Sequence, residues 1–316
     1  MKFESPNFSI IKNDNQLKTV EFCARLCYKS MDKLTEDSYI KFCKARFAEK
    51  HYAIFEHANF LFKMNVDKQN NLLNMLHEFK NLYGVTYDFR FAHEEPTIDP
   101  ETNELHMKLC EECVFVLNLR HIFELADAGD FRFYNALPEE YHIFYSEEDL
   151  KKHDKRFDSM WSFDFVDEKI NDDKFNFVTV AFDCQRSVWD ELARHRKNGL
   201  CCESSRYCQY SKGKFGGEIT YSKPSWVEDE HDATYQELQS ICKNAEDGYM
   251  KLTEMGLKAQ DARFVLPLGY RVNCVVTASI EQWKHIFELR TSKAAHPDIA
   301  AIMSELKSEF ERLNIS

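Results

Sequence analysis

The sequence predicts an α+β protein, because segments with the periodicity of amphipathic helices alternate with segments typical of β-strands. Residues 175–182 (FNFVTVAF) are rich in β-branched and aromatic side chains and give the strongest strand prediction. Residues 235–252 instead carry apolar side chains at intervals of three and four, which is typical of a long helix. The chain has 316 residues, 44% hydrophobic and 30% charged, and is therefore long enough to bury a globular core.

The first part of the chain alternates predicted helices and strands. Apolar residues at helical spacing predict a helix that begins near Leu17 and ends near Cys27, and Thr35 is expected to cap a second helix. Alternating apolar and polar residues predict a strand over residues 59–66. The remaining predictions here are a helix through Leu72–Leu82, a strand at Val85–Phe91, an exposed loop at Glu94–Glu104 and a strand at Val114–Leu119.

Residues 139–173 are charged and irregular, and little regular structure is predicted for them. The strand at 175–182 leads into a helix from about Gln185, which is expected to carry Arg194–Arg196 in its last turns and to stop near Gly199. Further helices are predicted at 235–252 with an end at Gly256, at 259–266, at 280–289 and at 299–313.

One pentapeptide occurs twice, as His121–Leu125 and as His285–Leu289. Five residues are too few for a repeat architecture, whose period recurs several times. The two copies therefore predict two similar amphipathic helices.

Composition excludes several ways of binding a nucleotide. The chain has only 9 glycines, and none falls into G-x-G-x-x-G or G-x-x-x-x-G-K-[ST], so the usual glycine-rich phosphate loops are missing. A nucleotide or flavin must then be held by side chains. The formal charge of -12 also disfavours nucleic acid as a partner, because such binding needs an extended basic surface.

The sequence contains neither an apolar segment typical of a signal peptide nor a run approaching eighteen apolar residues. We therefore expect a soluble cytoplasmic protein that does not bind membranes. Its 11 cysteines, an odd number, favour reduced thiols over a disulfide framework.

One short segment reverses the acidic character of the chain. Between Arg194 and Lys214 there are six Arg or Lys residues and a single acid, Glu203. Guanidinium groups bind phosphate or carboxylate through paired, charge-assisted hydrogen bonds, so the segment predicts an anion site. The alternative is a solvated basic helix end that complements the helix dipole.

The same segment resembles the signature of flavin-dependent thymidylate synthases, in which Arg-His-Arg is followed after seven residues by Ser. Three other segments of that family recur in the same order. Arg263 and Arg290 are also 27 residues apart, the interval found in the family. The matching segments are Arg194–Arg196 with Ser204 and Arg206–Tyr207, Glu56–His57, Ala262–Pro267 and Trp283–Arg290.

The resemblance implies one domain over residues 1–316, with helices around a central, mostly antiparallel sheet and an insertion at about 67–174 of the kind found in longer, phage-type members. It implies a homotetramer with active sites between subunits, in the cytoplasm of a bacterium or a phage-infected host. The implied reaction methylates dUMP to dTMP, with methylenetetrahydrofolate as the carbon donor and FAD, reduced by NADPH, as the hydride carrier.

The resemblance also implies roles for individual residues. Arg290 would be catalytic, stabilising negative charge on the uracil ring. His57 and Tyr207 would face the folate or the nicotinamide. The dUMP-binding residues would be Glu191, Arg194, Glu203, Ser204, Ser205, Arg206, Arg263 and Arg290. The FAD-binding residues would be Asn59, Arg194, His195, Arg196, Cys202, Ser279 and His285.

Several of these residues have alternative interpretations. Ser204 could be a nucleophile, although no His or Asp is placed by the sequence to activate it. His195 could be a buried structural histidine, and Arg290 an ordinary basic residue at a helix end. Cys110 and Cys113 have zinc-like spacing, but no second pair completes four ligands, so we predict no metal.

The chain departs from the family pattern at four positions. Cys201 and Cys202 stand where the family usually has Asn and Glu or Gln, Glu191 where many members have Gln, and Glu281 where many have Arg. These differences leave two alternatives open: a flavin-dependent enzyme that modifies another pyrimidine nucleotide, and a nucleotide-binding homologue without turnover.

Overall fold

The computed structural model describes residues 1–65, 97–98, 105–106, 112–159, 163–168, 170–196 and 198–315. In these residues the strands are β1 (Lys2–Glu4), β2 (Asn7–Ile11), β3 (Asn59–Asn65), β4 (Thr97–Ile98), β5 (Leu105–His106), β6 (Glu112–Asn118), β7 (Asp164–Val166), β8 (Phe177–Gln185), β9 (Gly199–Cys202), β10 (Thr220–Ser222) and β11 (Arg271–Ser279). The α-helices are α1 (Gln16–Cys27), α2 (Ser38–Ala48), α3 (Leu119–Asp127), α4 (Arg132–Asn135), α5 (Glu147–Leu150), α6 (Arg186–Leu192), α7 (Ala233–Glu254), α8 (Ala259–Ala262), α9 (Ile280–Arg290) and α10 (Pro297–Arg312).

The chain divides into two compact units. The first combines Met1–Tyr39 with Phe177–Ser316, and the second comprises Ile40–Asn176. A single domain with an insertion at about 67–174 stays a prediction.

The first unit is built on an antiparallel sheet with the strand order β2-β8-β11-β9. The long strands β8 and β11 pair over their whole lengths, from Arg271 opposite Gln185 to Ser279 opposite Phe177. Their β-branched and aromatic residues suit a pleated sheet that is buried on both faces. Helices pack on both faces of this sheet.

Each face of this sheet has its own apolar cluster. On one face Val180 and Phe182 pack in the cluster that includes Trp283 of α9. The Trp283 indole also donates a hydrogen bond of 3.0 Å to the carbonyl of Val178, so α9 is fixed to β8 by polar and apolar contacts. On the other face, Ala181 packs against Cys27 of α1.

Helix starts in the first unit follow local capping chemistry. Asp232 caps α7, since its carboxylate accepts from the backbone N–H groups of Thr234 and Tyr235. Ser279 caps α9 in the same way, accepting from the backbone of Gln282 at 3.2 Å. The last strand residue of β11 therefore starts the helix that ends at Arg290.

The second unit contains an antiparallel sheet with the order β6-β3-β7. Asn59 lies opposite Asn118 at one end of the β3–β6 pair. Asn118 then caps α3, accepting from the backbone of His121 at 3.0 Å. Around α3, aromatic rings pack edge to face, with Phe123 lying 4.7 Å from Phe47 between ring centroids.

Most of the predicted elements are confirmed. Antiparallel sheets and mixed helices agree with the α+β prediction. The predicted helices that the structure reproduces within a few residues are α1, α3, α7, α9 and α10, and the predicted strands are β3, β6 and β8. The predicted helix at 259–266 is the short α8 followed by a 3₁₀ turn over Arg263–Val265.

The helix predicted from about Gln185 is present, but its predicted extension through Arg194–Arg196 is wrong. α6 ends at Leu192, and Gly199, expected to terminate it, begins β9 instead. Long-range pairing is the reason, because Gly199 lies opposite Thr277 in β11. The Asn198 side chain also donates to the His195 carbonyl at 3.0 Å, which satisfies a backbone acceptor beyond the helix end.

Smaller corrections concern segment ends and irregular regions. α2 starts at Ser38, so Thr35 is not its cap. Within 139–173 the structure has short helices and the strand β7, and within 94–104 it has β4. The segments Leu72–Leu82 and Val85–Phe91 and residue Cys110 lie outside the described residues.

Candidate active site

The first unit brings Arg290 to the last turn of α6 and to the residues just after it. The Arg290 guanidinium donates from Nη1 to Glu191 Oε2 at 2.7 Å and from Nη2 to the Glu191 carbonyl at 3.0 Å. Its Nε donates to Nε2 of His195 at 3.0 Å. Arg290 therefore meets two residues that lie 99 and 95 positions away from it in sequence.

The His195 ring is buried, with 7% of the residue exposed. Burial, followed by the positive charge of Arg290 and by His285, lowers the pKa of His195 from its usual 6.5 to about 4. Because Arg290 donates to Nε2, the neutral ring carries its proton on Nδ1. His195 is thus a neutral hydrogen-bond acceptor at physiological pH.

The sequence neighbours of His195 and one nearby ring differ from it in exposure. Arg194 and Arg196, its neighbours in sequence, are both exposed. His285 is also exposed, and its ring lies 6.3 Å from the His195 ring in a T-shaped arrangement. Residues 194–196 thus lie outside a helix, contrary to the prediction, and the middle residue is buried while its two neighbours are exposed.

A second guanidinium lies beside the serine motif. Arg263 Nη1 donates to Oγ of Ser205 at 3.0 Å, across 58 residues of sequence. Ser205 is buried and Arg263 is exposed. A hydroxyl group does not neutralise a guanidinium, so this cation keeps its full charge for an anion.

The acid within the motif, Glu203, faces the interior. It is 1% exposed, and its carboxylate accepts from the Tyr210 hydroxyl at 2.7 Å and from the Asn273 side chain at 3.2 Å. Lys29 lies 3.3 Å away as its ion-pair partner. Burial, followed by the Glu203 charge, raises the pKa of Tyr210. Glu203 therefore anchors the motif to β11 and to the end of α1.

Lys29, Tyr210 and Asn273 are the site-supporting residues that sequence reasoning missed. Tyr210 lies only three residues from Tyr207 in the motif, so its proximity was the one available signal. Lys29 and Asn273 lie far away in sequence and match none of the quoted motifs. All three residues line a cavity of about 180 Å³, which Asp183 and Arg271 also line.

Other predicted site residues differ in accessibility. Arg206 and Tyr207 are exposed, and Ser204 is half-buried. Cys202 is half-buried on β9, opposite Cys274 of β11. Burial raises the pKa of the Cys202 thiol, which is therefore protonated at physiological pH. Ser279 is fully buried, and its hydroxyl caps α9.

Two predicted residues belong to the second unit, Ile40–Asn176. His57 is buried there, at the end of a 3₁₀ turn. Asn59 begins β3 and donates to the Glu56 carbonyl at 3.5 Å. Glu56 in turn accepts from Arg120 at 2.5 Å, so a residue of the predicted insertion stabilises this motif.

Among the described residues, no group of three or more His, Cys, Asp or Glu side chains is arranged to hold a metal ion. Nor does any helix in the described part of the chain combine the length and apolar character needed to cross a membrane.

Comparisons with known proteins bear on residues 168–313, which match the family model described as thymidylate synthase complementing protein. This segment contains the cluster around Arg290 and the Ser205–Arg263 pair. This part of the chain is therefore similar to thymidylate synthase complementing proteins.

The chain is also similar in sequence to several flavin-dependent thymidylate synthases. The chain is 25% identical over 140 residues to the flavin-dependent thymidylate synthase of Haloarcula marismortui, which covers 38% of this chain and 57% of that protein. It is 29% identical to that of Halobacterium salinarum, with the same coverage. Identity to that of Saccharolobus solfataricus is 30% over 125 residues, or 39% of this chain and 45% of the relative. The matched segment thus spans about half the length of these relatives.

Among solved structures, the UMP/dUMP methylase PolB from Streptomyces cacaoi, bound with 5-Br dUMP, aligns with a TM-score of 0.35 and 19% identity, covering 43% of this chain and 66% of that one. The family match and the sequence relatives confirm the resemblance to flavin-dependent thymidylate synthases.

Proposed function

We propose that this protein methylates dUMP to dTMP, with methylenetetrahydrofolate as the carbon donor and FAD, reduced by NADPH, as the hydride carrier. The observation that carries the proposal is the meeting of Arg290 with Glu191 and His195. A guanidinium has five N–H donors, and three of them are used in these contacts. Two remain available for a substrate oxygen.

The Arg290 group suits the charge that develops in this reaction. Negative charge builds up on the pyrimidine oxygen when the ring carbon becomes nucleophilic, and a fixed guanidinium stabilises it without reorganisation. Because Glu191 and His195 already hold Arg290, its side-chain entropy is lost on folding and not in the reaction. His195, neutral and hydrogen-bonded, adds no competing positive charge.

The exposed cation Arg263, with Ser205 beside it, suits the substrate phosphate. A phosphate presents several acceptor oxygens, and charge-assisted hydrogen bonds from a guanidinium are about twice as strong as neutral ones. Arg206 and Arg194 are exposed in the same motif and would add further donors. Ser204 and Ser205 would then act as ligand binders and not as nucleophiles.

The residues near His195 fit a flavin dinucleotide. Its pyrophosphate is an anion and its ring system is aromatic, and the exposed Arg194, Arg196 and His285 offer two guanidinium groups and an aromatic ring. When bound, the flavin would supply the hydride. Cys202, Ser279 and Asn59 remain proposed contacts of this cofactor, and His57 and Tyr207 proposed contacts of the folate or nicotinamide. We further propose a homotetramer, which light scattering on the purified protein would test.

The test of the proposed function uses the purified full-length protein. Bound flavin should colour it yellow, NADPH should bleach the colour without oxygen, and tritium should leave 5-tritiated dUMP only when methylenetetrahydrofolate is present. A colourless protein that binds no added FAD contradicts the proposal. Turnover of dCMP without turnover of dUMP would instead favour another pyrimidine nucleotide as substrate, and dUMP binding without any turnover a non-catalytic homologue.

A further inference from the structure

Glu191 is the acid in direct contact with the Arg290 guanidinium. The two side chains are largely buried, with 16% of Arg290 and 23% of Glu191 exposed. Glu191 offers two acceptors to the same guanidinium, its carboxylate and its own carbonyl. A partly buried, two-point contact restricts the orientation of an arginine far more than a typical exposed ion pair does.

The position of Glu191 on α6 allows it to contact the Arg290 guanidinium. It lies in the last turn of α6, next to Asp190, which instead pairs with Arg186 at 2.9 Å on the exposed side of the helix. Arg290 is the last residue of α9. The ends of two helices, each fixed to the central sheet, are therefore joined through one side-chain pair and the His195 ring.

We propose that Glu191 is a positioning residue that holds the Arg290 guanidinium in one orientation through its carboxylate and its main-chain carbonyl. The inference rests on the proposed function, because it assigns Arg290 its role at the substrate. Glu191 acts on the reaction through Arg290. Glu191 also neutralises part of the guanidinium charge, but this contributes less to the reaction than the orientation of Arg290.

Substitutions of Glu191 can change its side-chain length and its charge independently. Glu191→Gln keeps an acceptor oxygen at the same distance from the backbone and removes the charge. Glu191→Asp keeps the charge and withdraws the carboxylate by one methylene. Positioning predicts that Gln is the better replacement, whereas a purely electrostatic role predicts that Asp is. Glu191→Ala removes both properties, and Asp190→Ala on the same helix is the matched control.

The first readout needs no substrate. NMR titration of histidine-labelled protein should show His195 in wild type as the Nδ1–H tautomer. In Glu191→Ala and Glu191→Asp the released guanidinium should leave Nε2, and the pKa of His195 should rise from its wild-type value, since the second cause of its depression is the charge of Arg290. Glu191→Gln and Asp190→Ala should titrate like wild type.

The second readout is steady-state methylation of dUMP. Glu191→Ala should lower kcat about ten- to a hundredfold with a KM for dUMP within about threefold of wild type, and Glu191→Gln should stay within about threefold in kcat. The positioning role is wrong if Glu191→Gln loses as much activity as Glu191→Ala and Glu191→Asp keeps wild-type activity. This conclusion requires that the control Asp190→Ala behaves like wild type. If wild type itself does not turn over dUMP, the proposed function fails, and the His195 titration still decides whether Glu191 positions Arg290.

Discussion

Two arginines of the candidate site lie in opposite environments. Arg290 is largely buried and gives three hydrogen bonds to Glu191 and His195. Arg263 is exposed, and its guanidinium donates to the uncharged hydroxyl of Ser205. The Arg290 guanidinium is held in one orientation and partly neutralised, whereas the Arg263 guanidinium keeps its full charge and its conformational freedom. The difference matches two tasks, since stabilising a developing charge requires fixed geometry and capturing a phosphate requires net charge.

The largest expected effect comes from removing the oriented arginine. Arg290→Ala should lower kcat for dUMP methylation about a hundred- to a thousandfold, or about 3–4 kcal/mol, because the developing charge loses its preorganised donor. The tritium-release assay measures it. Arg312→Ala, which removes an exposed arginine paired with Glu309, is the control and should behave like wild type. Equal losses in both variants would contradict the special role of Arg290.

The next effect concerns the buried anchor of Arg290. His195 is neutral in the folded protein down to about pH 4, whereas in the unfolded chain it takes up a proton near 6.5. The unfolded chain therefore binds the proton first, and the free energy of unfolding should fall by about 2–3 kcal/mol as the pH drops from 6.5 to 4. Above pH 6.5 this contribution stays fully present.

Urea unfolding at a series of pH values measures this loss. In His195→Asn the part of the decline that belongs to His195 should be missing, whereas His231→Asn, at an exposed position, should keep it. An identical pH profile for wild type and His195→Asn would show that His195 does not differ between the folded and unfolded chains.

The smallest effect is expected at the exposed arginine. Arg263→Ala should raise KM for dUMP about ten- to fiftyfold, or roughly 1.4–2.3 kcal/mol, with a smaller change in kcat, because it removes binding of a group that does not react. Added salt should weaken dUMP binding to wild type more than to the variant, since exposed charges are screened. If Arg263→Ala lowered only kcat, Arg263 would act in the reaction as Arg290 does, and the proposed difference between the two arginines would be wrong.

The local part of the fold could be predicted from the sequence because it depends on short-range chemistry. Apolar periodicity identified α1 and α7, and β-branched residues identified β8. The short strands β1, β2, β9 and β10 and the nine-residue strand β11 were not predicted. The pairing partners of all five lie far away in sequence, where a local pattern gives no signal. The same long-range pairing overrode the predicted helix around Arg194–Arg196.

The residue types of the candidate site were set by the sequence alone. Arg-His-Arg, the serine pair, Arg263 and Arg290 were found as motifs, and their resemblance to a family is confirmed by the comparisons. The contacts among them were decided by the tertiary structure. The contacts of Arg290 with Glu191 and His195 form only because β8 and β11 bring two helix ends together. The His195 ring stays neutral only because the surrounding core buries it. Motifs specify chemical groups, but distances and dielectric environment arise only when distant segments pack together.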